Sequence, residues 1–257
     1  MFENKKSYEN VFFRYAKGPS IASGNEIHPY NEILYYIDGE ATFLSEKFSE
    51  KLENGTLLVI PKETYHNFRV ENQERYTRFV INFDDVPNGE GMAQDAMKKM
   101  RIIKNPGREA VRVLEKMIRL AGLPGEHTET AMYGAFLELL YELFASNKNA
   151  ELPKERGRGE FITRCLSLAN EEFLDGITSM SAAKKMSVSE STLVNKFKAE
   201  MGISFHKYIT EKRMIYARKL MEDGELPTYV YTKCGYEDYS SFYKAYVKMF
   251  GTSPSKR

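Results

Sequence analysis

An α+β chain of two domains is predicted, strand-rich in front and all-helical behind, on three observations. The first 85 residues hold short runs of β-branched and aromatic residues bounded by Gly, Pro, Asn or Asp. From about Arg108 the apolar period lengthens to that of an α-helix and keeps that character to the end. Between the two regimes, residues 147–159 contain one leucine among many polar and chain-breaking residues. The length of 257 residues exceeds what one hydrophobic core usually organises.

In front, Glu32–Ile37, Thr56–Ile60 and Tyr76–Phe83 read as strands. Val111, Leu114, Met117, Ile118 and Ala121 then fall at helical spacing. So do Met132, Ala135, Phe136, Leu139, Leu140, Leu143 and Phe144, after a Thr128-Glu129-Thr130 start. Two such helices behind a sheet can cover one of its faces or pair with a second copy. The width of the second stripe favours a homodimer with Leu139 near the centre of its interface. The expected divisions are 1–146, a linker at 147–160, and 161–257. In the rear division helices should break at Asp175-Gly176, Ser187, Gly202, Asp223-Gly224, Gly235 and Gly251.

Composition excludes several classes. Hydrophobic residues make up 42% and charged residues 28%, as in folded soluble proteins. No run reaches the ~18 apolar residues of a membrane span, and the opening MFENKKSYENVFF lacks a secretory signal, so a cytoplasmic protein is expected. Cys165 and Cys234 are too few for a four-cysteine zinc site. Net charge is +1, but residues 1–146 carry 18 Lys+Arg against 22 Asp+Glu, residues 147–160 carry 4 against 3, and residues 161–257 carry 15 against 11. An acidic front (−4) and a basic rear (+4) suit a chain whose rear meets a polyanion. Phosphate-binding loops, dinucleotide fingerprints, Gly-x-Ser-x-Gly and His-Glu-x-x-His are absent from the sequence.

The rear division repeats one layout: a helix, a short turn, a polar helix start, then a basic helix. In the first unit Ala183 lies in the leading helix, Ser189 can cap the next, and Leu193 and Phe197 anchor it at i, i+4. In the second, Gly235 makes the turn, Asp238 or Ser240 can cap, and Phe242 and Tyr246 repeat the anchor. Two helix-turn-helix units in tandem, joined by a helix at 204–222, meet the requirements of DNA reading. At ~1.5 Å per residue, that helix spans about 28 Å, near the ~34 Å between successive major-groove faces.

From Ile177 to Pro254 the pattern resembles the DNA-binding domain of the AraC/XylS family of bacterial transcription regulators. The matching positions include Ala183, Ser189, Leu193, Phe197, Gly202, Ser204-Phe205, Tyr208, Arg213, Ala217, Leu220, Gly235-Tyr236, Asp238, Ser240, Phe242, Gly251 and Ser253-Pro254. Tyr231 departs from it, where the family has a small residue, and Pro227 stands near the start of the same helix. The resemblance implies double-stranded operator DNA as partner and Glu190, Ser191, Val194 and Asn195 as base-reading positions of the first unit. Asp238, Tyr239, Ser240, Tyr243 and Lys244 are their counterparts in the second, with Lys196, Lys198 and Lys248 facing phosphates. It also implies contact with RNA polymerase, and activation rather than repression.

The front division resembles a cupin. Gly24, His28, Tyr30, Glu32 and Gly39 follow the first cupin motif, and Gly55, Pro61 and His66 the second. This implies a β-barrel, and strand alternation would put His28, Tyr30, Glu32, Leu34 and Tyr36 on its inner face. His28, Glu32 and His66 could form a two-histidine, one-carboxylate metal site, the basis of an alternative reading as a metal-dependent cupin enzyme fused to a DNA-binding domain. Tyr30 replaces one ligating imidazole, however, and sensor domains of the AraC/XylS family generally bind small molecules without metal. The expectation is therefore no catalytic residue, no cofactor and no metal. A small effector, with carbohydrate the leading class, would be held by His28, Tyr30, Glu32, Tyr36 and His66.

Overall fold

The computed structural model describes residues 2–18, 27–84, 86–146 and 159–255. Gly24 and most of the expected linker lie outside them. The front division begins with a hairpin, the largely polar β1 (Phe2–Tyr8) paired with β2 (Val11–Lys17). There follow β3 (Asn31–Asp38), β4 (Ala41–Ser45), β5 (Ser49–Lys51), β6 (Thr56–Ile60), β7 (His66–Val70) and β8 (Thr77–Phe83). After a short helix α1 (Glu90–Ala96) and β9 (Arg101–Ile103), α2 (Arg108–Ala121) and α3 (Glu126–Ser146) complete the division. Its strands form one sheet in the order β1-β2-β8-β3-β6-β9 and a second in the order β5-β4-β7.

Alternation sorts the larger sheet into two faces. Val11, Phe13, Ile33, Leu57, Val59, Phe79, Ile81 and Phe83 face outward and pack against α2 and α3. Leu34, Tyr36, Leu58, Ile60 and Val80 face inward and meet Ala41, Phe43, Phe48 and Leu52 near the smaller sheet. Register places Glu32 opposite Asn82 and Tyr36 opposite Arg78, with Ile60 and Thr56 on the other side.

The stripe on α3 is intramolecular core. Met132, Ala135, Phe136, Leu139 and Leu140 are each 0% exposed, packed with the outward face of the sheet. The expected dimer contact centred on Leu139 is thus corrected: an apolar stripe on a helix is identical whether a sheet or a second copy covers it, and here the sheet does.

Behind position 158, α4 (Glu160–Glu172), α5 (Ser179–Lys185) and α6 (Glu190–Met201) surround one core. α8 (Pro227–Lys233) and α9 (Tyr239–Phe250) surround another. The intervening α7 (Phe205–Glu222) serves both, giving Phe205, Tyr208 and Ile209 to the first and Met214 and Ala217 to the second. The expected breaks at Gly176, Ser187, Gly202, Gly224, Gly235 and Gly251 all have positive φ. At Ser187 (φ 57) a residue with a side chain holds the left-handed conformation, at the turn between α5 and α6.

Candidate nucleic-acid interface and barrel site

In the first helix-turn-helix unit a capping box starts α5, Thr178 accepting from the Ser181 amide and Ser181 from the Thr178 amide. The Ser189 hydroxyl accepts from the Thr192 amide at 3.2 Å and starts α6. Leu193 and Phe197 are fully buried behind that helix, and Gly202 closes it with a left-handed cap. In the second unit Asp238, not Ser240, is the cap, its carboxylate accepting from the Ser241 amide at 2.8 Å. That bond holds the Asp238 carboxyl below its ordinary pKa. Tyr231 is absorbed by an aromatic cluster, edge-on to Tyr239 with centroids 5.9 Å apart, while Tyr239 also meets Phe242. Pro227 occupies the first turn of α8, where its missing amide hydrogen costs nothing.

Glu190, Ser191, Asn195, Lys198, Ser240, Tyr243, Lys244 and Lys248 are exposed on α6 and α9. Some of the expected set also have engagements within the chain. Glu190 accepts from Ser179 at 2.5 Å. Lys196 lies 4.9 Å above the Phe161 ring, and Val194 and Tyr239 are half-buried.

A seam joins the two divisions at the C-terminal end of α6. The Tyr65 hydroxyl donates to the Met201 carbonyl, which also accepts from the Asn67 amide at 3.3 Å. The Arg69 guanidinium donates to the Ala199 carbonyl. The Ile27 amide donates to Glu211 at 3.2 Å, and Tyr208 donates to Glu46 at 2.5 Å. Asn195 and Lys198 line one cleft together with Asn67, Phe68 and Arg69. Sequence reasoning missed Tyr65, Asn67, Arg69 and Glu46. Alternation around an inward His66 would have turned Tyr65 and Asn67 outward, but nothing in sequence says what they meet.

Inside the barrel the structure brings together His28, Glu32 and His66, with candidate ligand atoms all within 4.8 Å of one another. His28 Nε2 stands 3.8 Å from one Glu32 oxygen and His66 Nε2 stands 3.7 Å from the other. The Asn82 amide donates to Glu32 at 2.8 Å, a partner that the motif did not reveal. Each imidazole Nδ1 meets a backbone carbonyl, His28 that of Tyr30 at 2.8 Å and His66 that of Thr64 at 3.1 Å. Burial pushes the His28 pKa down to about 4 despite the Glu32 charge. Burial alone would raise that of Glu32, but His66, His28 and Asn82 outweigh it and hold it at about 2.

Two expected members of the site are elsewhere. β3 starts at Asn31, so the alternation does not extend back to Tyr30. Tyr30 turns to the surface, 38% exposed, and stacks on the His28 ring with centroids 4.0 Å apart. Tyr36 is inward, but four residues along β3 from Glu32, about 13 Å at the rise of a strand. It packs beside Tyr76 and against Gly39.

Residues 182–256 match the family described as a helix-turn-helix domain. Along nearly its whole length the chain is similar to the Msm operon regulatory protein of Streptococcus mutans, 23% identical over 94% of this chain and 86% of the relative. It is likewise similar to the raffinose operon transcriptional regulatory protein RafR of Pediococcus pentosaceus, 23% identical over 98% of this chain and 94% of the relative. Among solved structures, ToxT from Vibrio cholerae aligns with 98% of this chain and 95% of its own, at 13% identity and a TM-score of 0.41. No described helix is long and apolar enough to cross a membrane. With two capped units sharing one linking helix, residues 182–256 match a helix-turn-helix domain of the AraC type, and the chain has operon regulators as relatives along its length.

Proposed function

We propose that the chain works in the cytoplasm as a sequence-specific transcription activator, controlled by a small polar effector bound at the His28–Glu32–His66 end of the barrel. The observation that carries this reading is the seam. Ile27 adjoins His28, and Tyr65 and Asn67 flank His66, and these three bond the end of α6 and the middle of α7. A ligand that displaces either imidazole shifts the neighbours that hold the first recognition helix. Because Asn195 and Lys198 face the cleft with Asn67 and Arg69, the docked arrangement hinders their approach to DNA. An effector that binds the undocked arrangement more tightly releases them. Carbohydrate is the effector class favoured, since one full-length relative is named for a raffinose operon. Glu32 and Asn82 offer the acceptor and donor that sugar hydroxyls need. No catalytic role is assigned to any residue. RNA polymerase is the partner in activation, and a second copy binds beside the first through a face other than the buried stripe of α3.

The test is fluorescence anisotropy of the full chain on labelled DNA from upstream of its own gene, with and without raffinose or its component sugars. Sequence-dependent binding that tightens with one sugar, and a Glu32→Gln variant that binds DNA without responding, support the reading. Binding equal on random DNA, or a response that survives Glu32→Gln, overturns it.

A further inference from the structure

The two helix-turn-helix units are tied together at a second place besides the cores on α7. Phe173 caps the C-terminal end of α4, where helix carbonyls lack partners within the helix. Arg213, from the middle of α7, donates from Nε to the Phe173 carbonyl at 2.6 Å. The next carbonyl, that of Leu174, lies 2.7 Å from where a Cβ on Gly235 would stand. The turn between α8 and α9 therefore meets the end of α4 backbone to backbone, and Gly235 holds its φ of 72 there without strain. The Arg213 guanidinium also lies 5.8 Å from the centre of the Tyr236 ring. That ring stands edge-on to Phe242, the buried anchor of α9, with centroids 5.7 Å apart. Contacts thus run from α4 through Arg213 and Tyr236 to the second recognition helix. At its other side α4 shares a core with Leu193 and Phe197 of the first recognition helix.

We propose that Arg213 is a positioning residue for DNA reading: it ties the second recognition helix to the first unit and so fixes the half-site spacing that the chain accepts. The proposal rests on the reading of the chain as a DNA-binding regulator and on nothing in the barrel. As a source of stability Arg213 is poorly placed. Its Nη2 is buried with no hydrogen-bond partner among the described residues, and burial lowers the pKa of the guanidinium. A buried cation satisfied this incompletely is often replaced by an apolar side chain without loss of stability. What an apolar side chain cannot do is hold a carbonyl of one unit and lie against a ring of the other. Lysine can donate to Phe173 but has no planar group to set against Tyr236. The consequence for DNA follows from groove geometry. One added base pair moves the groove by ~3.4 Å and turns it by about 35°, so a tied pair of helices accepts one spacing and a loosened pair accepts its neighbours as well.

The experiment is selection of duplexes from a randomised DNA library by the full chain, unaltered and as Arg213→Met, with the distance between enriched half-sites read by sequencing. Expected is a single spacing for the unaltered chain and neighbouring spacings as well for Arg213→Met, with thermal unfolding unchanged. On the best selected duplex, one base pair inserted between the half-sites should weaken the unaltered chain more than about tenfold and Arg213→Met less than about threefold. Arg213→Lys, which keeps the bond to Phe173, should fall between them. The same single spacing in Arg213→Met, or an equal loss on every spacing together with a lowered unfolding temperature, overturns the proposal and leaves Arg213 a residue of the core. Should Arg213→Met fail to fold, Arg213→Lys decides the question by the same two readings. Several spacings selected by the unaltered chain overturn it as well. No enrichment of any sequence by the unaltered chain fails the regulator reading itself, and the proposal with it.

Discussion

Removing the Tyr65 hydroxyl should loosen the seam and tighten DNA binding. Tyr65 is 2% exposed, with its ring 5.5 Å from that of Tyr208 and its hydroxyl on the Met201 carbonyl at the end of the first recognition helix. Tyr65→Phe keeps the ring packing and deletes one hydrogen bond between the divisions. A net hydrogen bond contributes about 1 kcal/mol, so the docked population should fall roughly fivefold relative to the undocked one. The Met201 carbonyl keeps Asn67 as a donor at 3.3 Å in that variant. Adding Asn67→Ala removes it, for a combined effect of about 2 kcal/mol, or roughly thirtyfold. Anisotropy on operator DNA without effector reads this directly, as affinity rising about fivefold and then toward thirtyfold while thermal unfolding confirms the fold. Affinity unchanged within twofold in both variants, or weakened, would refute the reasoning that docking restrains α6.

Asn195→Ala should cost about 1–3 kcal/mol on the correct operator and relax base preference at one position; an equal loss on random DNA would reassign the side chain to backbone contact. Leu139 is 0% exposed inside the core, so Leu139→Ala should destabilise the front division by about 2–5 kcal/mol and Leu139→Glu should unfold it. A folded monomer of Leu139→Glu, seen by light scattering and circular dichroism, would restore an interface role. Burial pushes the Cys165 thiol up to about 11 and that of Cys234 up to about 12. The thiolate is the reactive form, so neither should react with a thiol reagent at pH 8 in the folded chain; fast labelling there without unfolding would contradict the packing.

Local chemistry made much of the rear division legible in sequence. Caps at Ser189 and Asp238, turns at Gly202 and Gly235, and the pairs Leu193/Phe197 and Phe242/Tyr246 act within one or two helical turns, so their spacing alone specifies them. The barrel's His28, Glu32 and His66 were legible from motif spacing, and their convergence follows. Three matters were decided only by tertiary structure. A stripe such as Met132–Leu143 records that apolar area must be covered, not what covers it, and the sheet does so here. Tyr30 left the inner face because β3 begins one residue later, and alternation holds only within a strand. The seam between Tyr65, Asn67, Arg69 and α6 joins residues about 130 positions apart. Such contacts depend on how two separately formed cores meet, and no periodicity in either segment encodes that meeting.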